Sequence, residues 1–589
     1  MEAASRPPSS TWRTADAVLD LLIRGGTIVD GTGAEPFVGD VAVRGGMVAA
    51  VGAVAGEAAR TIDADGLIVT PGFVDIHTHY DGQATWEARM HPSSWHGVST
   101  VVMGNCGVGF APCRPPDRST LVRLMEGVED IPYPVLIDGL PWNWETFPDY
   151  LDSLAERRFD VELGAKLPHA PLRVYAMGER AIQRLPADRR EIALMRALTC
   201  EAVEAGALGV STSRTIMHRA ADGSPTPTLA AQEAELTGIA MGLADAGQGV
   251  LQFVSDFEDV HAEFAMLRRL VEASGRPLSF SLVQSAARPD NWRILLDLLS
   301  QAVDDGLPMR AQVCGRPVGM MLGFELTLNP FIGTQAWQEI ADLPFDERIA
   351  ELRSPRRQSR LLNESADGDS QWARYLADID RMLILDPVPD YEATPDRSVG
   401  AIARAAGVSP ARVALDHLLS EGGRGVLYLP FLNYADYNLD ACHRMLTHRD
   451  TVSGLSDGGA HVGTICDASF ATSMLTHWTR DRYRGPRLSL AAAVALQTSK
   501  TAAAVGLSDR GMLRPGLRAD INVIDHAGLV LHRPQVAYDL PGGGRRLLQR
   551  ADGYRHSFVG GIETYRDGVA TGNLPGRLVR GGTAFGPAA

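Results

Sequence analysis

The 589-residue chain carries a formal net charge of −15 and is 45% hydrophobic and 22% charged, the balance of a globular protein with room for a barrel of ~250 residues plus additions. So acidic a balance argues against nucleic acid or an anionic membrane surface as a partner. No run of ~18 apolar residues occurs, and residues 1–17 hold no apolar leader core, which predicts a cytoplasmic protein with a frayed start.

From Leu19 the chain reads as short strands separated by glycine pairs, LDLLIRGGTIVDG, GDVAVRGGMVAAVG and ARTIDADGLIVTPG. This texture predicts a small β-sandwich over 18–70. From 71 to 500, short apolar runs alternate with helical text. The candidate strands are 73–77, 98–104, 161–167, 207–211, 250–254, 278–283, 308–313 and 452–456. Segments such as EIALMRALTCEAVEAG and AEFAMLRRLVEASG place apolar residues at helical spacing. Eight strands alternating with helices predict an α/β fold, a closed (β/α)8 barrel. About 140 residues separate the seventh strand from the eighth, far more than a βα connection needs, so 318–450 reads as an insertion at the catalytic end. Strand texture returns in RADINVIDHAGLV and HSFVGGIETYRDGVAT. Residues 501–589 are therefore expected to complete the sandwich and end in a tail.

The strongest chemical signal is PGFVDIHTH, residues 71–79. Residues i and i+2 of a strand face one side, so His77 and His79 would present two imidazoles together at the end of the first barrel strand. Two imidazoles on one face suit zinc or another divalent metal. The plainer alternative is a pair of structural histidines. Six cysteines without framework spacing (Cys106, Cys113, Cys200, Cys314, Cys442 and Cys466) fit free thiols in a reducing compartment.

LLIRGGTIVDG followed by VTPGFVDIHTH resembles the amidohydrolase superfamily, and most of all its N-acyl-D-amino-acid deacylase (D-aminoacylase) branch. The resemblance runs on through HGVSTVVMGNCG, EAVEAGALGVSTS, GLSDGGAH and RGMLRPGLRADINVID to LPGRLVRGG. It implies a metal-dependent hydrolase of an amide bond in a small molecule. It also implies that Cys106 in GNCG is a metal ligand, and that Asp457 in GLSDGG is both a ligand and the catalytic acid–base that takes a proton from the attacking water and hands it to the leaving nitrogen. In the same branch, strands five and six end in histidine ligands. Here those segments read GVLQFVSDFED and LSFSLVQSAARP, without histidine; Val254 or Ser255 and Gln284 or Ser285 stand in their places. One ion is accordingly favoured over two.

Several residues near strand ends are candidates to fill the gap or hold substrate: His169, Arg214, His218, Gln284, Arg316 and His461, with Asp256, Gln252 and Arg310 beside them. Lys166, one of two lysines in the chain, is a candidate bridging carbamate or base; its plainer reading is a snorkelling surface residue. Lys500 reads as structural, and Trp142 and Trp144 as pocket wall or core. A cyclic-amide hydrolase of hydantoinase type, a deaminase or decarboxylase of the same superfamily, and a metal-poor non-catalytic homologue are rival readings. A homo-oligomer stays open.

Overall fold

The computed structural model describes residues 18–364, 376 and 378–582. The frayed start expected over 1–17 lies outside these residues, as do 583–589.

Alternating apolar residues place Leu21 and Ile23 of β1 (Leu19–Ile28) against Val41 and Val43 of β2 (Phe37–Arg44) in one buried cluster. The two strands pair antiparallel, β2 continues into β3 (Met47–Gly52), and β1 also pairs in parallel with β4 (Ala58–Asp63) and β5 (Ile68–Pro71). The far end of the chain completes this sheet. Strand Ile521–Ile524 lies antiparallel to β5 and carries strands Tyr554–Val559, Ile562–Arg566 and Val569–Ala570 outward, making nine strands in all. Ile521, Val523 and Phe558 join the same cluster. Burying each such side chain contributes ~1.5–3 kcal/mol, so the two chain ends are held together by a shared core.

Between these ends runs a series of parallel strands: β6 (Phe73–Asp75), β7 (Val98–Met103), β8 (Glu162–Ala165), β9 (Leu167–Pro168), β10 (Gly209–Arg214), β11 (Val250–Ser255), β12 (Leu278–Leu282) and β13 (Met309–Val313). The chain then leaves for an antiparallel sheet of β14 (Val318–Leu322), β15 (Leu383–Ile384) and β16 (Leu427–Leu432), which has a core of its own around Leu322, Phe331, Trp337 and Leu415. It returns as β17 (Thr451–Ser453) beside β13. The parallel order is β6-β7-β8 in one sheet and β9-β10-β11-β12-β13-β17 in another, and a parallel bridge joins Thr78 to Gly458. The fold is mixed α/β.

Helices fall where the periodicity places them. Arg189–Glu204 opens on a capping box of Asp188 with Glu191 and buries Met195, Thr199, Ala202 and Val203. Val260–Ser274 starts on the Asp259 side chain, buries Phe264, Leu267, Leu270 and Val271, and stops at left-handed Gly275. Strand ends shift from expectation by a residue or more throughout, and three of the shifts bear on the site or have a local cause. The fourth begins at Gly209 rather than 207, because Ala207 still closes the preceding helix through its N–H to Ala202 O, 2.9 Å. The eighth ends at Ser453 rather than 456, ahead of Leu455 and Asp457, which both adopt positive φ. The first ends at Asp75, so His77 and His79 lie beyond it.

Candidate metal centre

Because His77 and His79 sit past the end of β6, strand alternation does not aim them. A zipper of backbone hydrogen bonds does. Asp457 N–H donates to His77 O at 3.1 Å and His79 N–H to Gly458 O at 2.7 Å, locking the two loops in register. Ser456 Oγ donates to Asp75 Oδ2, and Asp75 Oδ1 accepts from His77 N–H at 3.3 Å, tying the same loops from below. Gly459, at φ 90°, presses so close that a Cβ there would meet His79 O at 2.9 Å. Asp457 and Cys106 are themselves left-handed, at φ 50° and 54°. Such a conformation is costly for non-glycine residues and clusters at functional sites.

Cys106 arrives from the loop after β7. Its turn needs Gly104, where a Cβ would stand 2.1 Å from Lys166 O. Asn105 Nδ2 holds the loop to Thr78 O and Val102 O at 3.1 and 2.8 Å. The Cys106 N–H donates to Gln252 Oε1 at 3.3 Å.

The side chains converge. His77 Nε2 lies 3.2 Å from Cys106 Sγ and 3.5 Å from Asp457 Oδ1, and His79 Nε2 lies 3.6 Å from the same carboxylate oxygen. Donor atoms of His77, His79 and Cys106 all fall within 4.8 Å of one another, and all three residues are buried. Asp457 Oδ1 is buried without a hydrogen-bond partner, a cost of ~1–3 kcal/mol or more for a charged group. An N, N, S, O set with an orphaned carboxylate oxygen at its centre is one that a zinc-like cation fits.

Two residues absent from the sequence reading aim the imidazoles. Gln312 Oε1 accepts from His77 Nδ1 at 2.8 Å, and its orientation follows from Nε2 donating to Ser279 Oγ at 2.9 Å. His77 Nε2 therefore keeps its lone pair for the centre, and burial holds this imidazole down to about 4, neutral at pH 7. Glu129, buried at the end of helix Arg118–Glu129, places Oε1 3.2 Å from His79 Nδ1 and Oε2 3.6 Å from His461 Nε2. Against the cost of burial, Glu129, Asp457 and Cys106 hold His79 well above the ordinary imidazole value. Burial would also raise Asp457, but His79, His77 and His461 keep its carboxyl far below the usual range, hence ionised. Burial pushes the Cys106 thiol up to about 11; a bound cation is what ionises such a thiol. Gln312 was legible as a polar residue within a candidate strand. Glu129 sits in helical text without a motif.

The remaining candidates divide. His218 bonds Ser213 Oγ at 2.9 Å, and burial, then the charges of His461 and His79, hold it down to about 3 against the opposing pull of Asp457. His461 borders the centre through Glu129. The others are engaged elsewhere. His169 is fully buried with both ring nitrogens taken, Nδ1 by Thr212 Oγ1 at 2.8 Å and Nε2 by Glu235 Oε1 at 2.9 Å. Arg214 turns to Met266 Sδ at 3.3 Å. Arg316 is buried on Asp467, with Nη2 2.6 Å from Oδ1, and stacks over Tyr391. Gln284 spends its amide on Asp436 Oδ2 at 2.8 Å and Ala435 N at 3.2 Å. Asp256 caps Thr215 and Ile216, and Trp144 donates to Phe110 O at 2.8 Å within an aromatic cluster that includes Trp142. Lys166 is not a snorkelling surface residue: it is 1% exposed. Its Nζ donates to Asn105 Oδ1 at 2.7 Å and Ile76 O at 3.1 Å, and burial brings it down to about 7. These bonds tie the first and second strand ends together.

Residues 60–570 match the amidohydrolase family. The chain belongs to that family. Among its amidohydrolase relatives, an N-acyl-D-aspartate deacylase of Alcaligenes xylosoxydans xylosoxydans is 30% identical over 588 residues, 98% of each chain. An N-acyl-D-glutamate deacylase of the same organism is 28% identical over 569 residues, 95% of this chain and 96% of the other. Among solved structures, a D-aminoacylase described as having a binuclear metal centre with one-metal activation superposes with a TM-score of 0.64 at 24% identity, over 95% of this chain and 100% of the other. An N-acyl-D-glutamate deacylase from Bordetella bronchiseptica, complexed with zinc and a phosphonate inhibitor, gives 0.62 at 22%, over 96% and 100%. Among the described residues no helix is long and apolar enough to cross a membrane.

Proposed function

We propose that this chain is a metal-dependent hydrolase of the amide bond in an N-acyl amino acid or a related linear amide, working around a single divalent cation. The observation that carries the reading is the convergence of His77, His79, Cys106 and the orphaned Asp457 Oδ1. The deacylases it matches over 95% or more of its length support the substrate class. We further assign the parallel strands to a (β/α)8 barrel, with β8 and β9 as one strand and the Thr78–Gly458 bridge as its closure. Residues 18–70 and those after 500 would form one composite β-domain, with 318–450 an insertion. Free thiols at all six cysteines fit a cytoplasmic location.

His77, His79, Cys106 and Asp457 would hold the ion, which supplies Lewis acidity to polarise a carbonyl oxygen and acidify a water. Asp457, ionised at neutral pH, takes the proton from the attacking water and returns it to the departing nitrogen. Gln312 and Glu129 keep each Nε2 turned inward.

The test compares wild type with Asp457→Asn by elemental analysis and by hydrolysis of N-acyl amino acids of both hands beside cyclic amides. The expected result is metal in both proteins and turnover of linear amides in the wild type alone. Undiminished turnover by Asp457→Asn removes its role; a wild type that takes up no divalent ion removes the reading itself.

A further inference from the structure

The end of the parallel strands opposite the metal centre holds a cavity of about 640 Å3, bounded by the starts of β11, β12, β13 and β17 and by helix Ser499–Ala504. Its charged lining consists of Arg276, Arg310, Arg449 and Lys500, with no carboxylate among the described lining residues. In a chain of net charge −15 this is a local reversal of sign.

The cations are only partly compensated from behind. Arg310 lies 3.6 Å from Asp450 Oδ1, and Arg449 shares that carboxylate at 3.0 Å while also reaching Asp304. Arg276 donates to the carbonyls of Gly247 and Gly249 at 2.8 and 3.3 Å, so its partners carry no charge. Among the described residues neither Arg276 nor Lys500 has a carboxylate partner. Burial, and then Arg310, brings the Lys500 ammonium below the ordinary lysine value. Three arginine forks and an ammonium around one concave space concentrate positive charge and match multiply charged oxyanions.

We propose that this cavity is a binding site for a small organic polyanion, a phosphate ester or polycarboxylate, separate from the metal centre. Nothing in the catalytic reading uses these four residues, so the site stands or falls independently of it.

Calorimetric titration of the full-length protein with glycerol phosphate and with succinate tests the site. Both probes are run against wild type, Lys500→Gln, Arg276→Gln and His77→Ala, with thermal melting to confirm that each variant is folded. Binding is expected in wild type and His77→Ala, weakened about tenfold or more in each cavity variant and weakened further by added salt. Preference for one probe tells phosphate from carboxylate recognition. Three results overturn the proposal: no binding of either probe up to about 10 mM, equal binding by the folded cavity variants, or loss of binding in His77→Ala, which would put the anion at the metal centre.

Discussion

Two sets of strand ends face the same side of the parallel strands and do different work. The ends of the first, second and eighth strands bring His77, His79, Cys106 and Asp457 together, with nearly every supporting group committed to aiming them. The fifth and sixth ends carry no imidazole. There Gln252 accepts from the Cys106 N–H, and Gln284 pairs its backbone with Asn433 and its amide with residues 435 and 436, so that this edge anchors the chain returning from β16. The lesson is that part of one rim of strand ends can serve as a docking edge for a returning segment. Another part keeps the geometry for an ion, provided its own second layer of hydrogen bonds stays intact.

The most damaging way to break this contrast is Asp457→Asn. Loss of an acid–base group costs ~10²–10⁴ in rate, and kcat on the responsive linear amide should fall by that much while metal content stays near the wild-type level by elemental analysis. Gln312→Leu should act on the ion instead. With His77 Nδ1 unheld, metal affinity should drop ~10–100-fold, read by competition with a chromophoric chelator, and excess metal should restore much of the rate.

Gln284→Leu sharpens the comparison from the other side. It removes hydrogen bonds that dock residues 435 and 436, and should lower stability by ~1–3 kcal/mol in denaturant unfolding while leaving metal content unchanged. Metal loss in this variant would mean that the sixth strand end still serves the ion.

The smallest effect is on acid stability. Against the cost of burial, hydrogen bonds from His477, Arg482 and the Leu439 N–H hold Glu392 down to about 2, from an ordinary 4.5. A depressed carboxylate contributes stability that is fully present above the unfolded value and lost as pH falls through the folded one. Glu392→Gln should therefore melt earlier than wild type at pH 6, and the gap should close between pH 4.5 and pH 2.

Legible in the chain alone were the short glycine-punctuated strands, the helical periodicity, the paired histidines and the two loop motifs holding Cys106 and Asp457. The strands, the helices and the paired histidines are written within a dozen consecutive residues by local sterics or repeat, whereas the motifs of Cys106 and Asp457 stood out by their resemblance to a known family. Strand ends were less legible, as at Asp75 and Ser453, because positive φ at neighbouring residues and cross-loop hydrogen bonds terminate pairing. Lys166 stands out in the sequence as a candidate carbamate or base with a snorkelling surface alternative, and only the fold shows it buried after β8 and bonded to Asn105 and Ile76.

Only tertiary structure decided which polar residues face the centre. Glu129 lies 50 positions from His79, in a helix without a motif, and Gln312 lies 235 from His77. Likewise, His169, Arg214, Arg316 and Gln284, all plausible by position near strand ends, find partners in neighbouring segments. A buried polar group must satisfy itself with whatever the fold brings within 3 Å or so, and that choice belongs to contacts far apart in the chain, which no local pattern encodes.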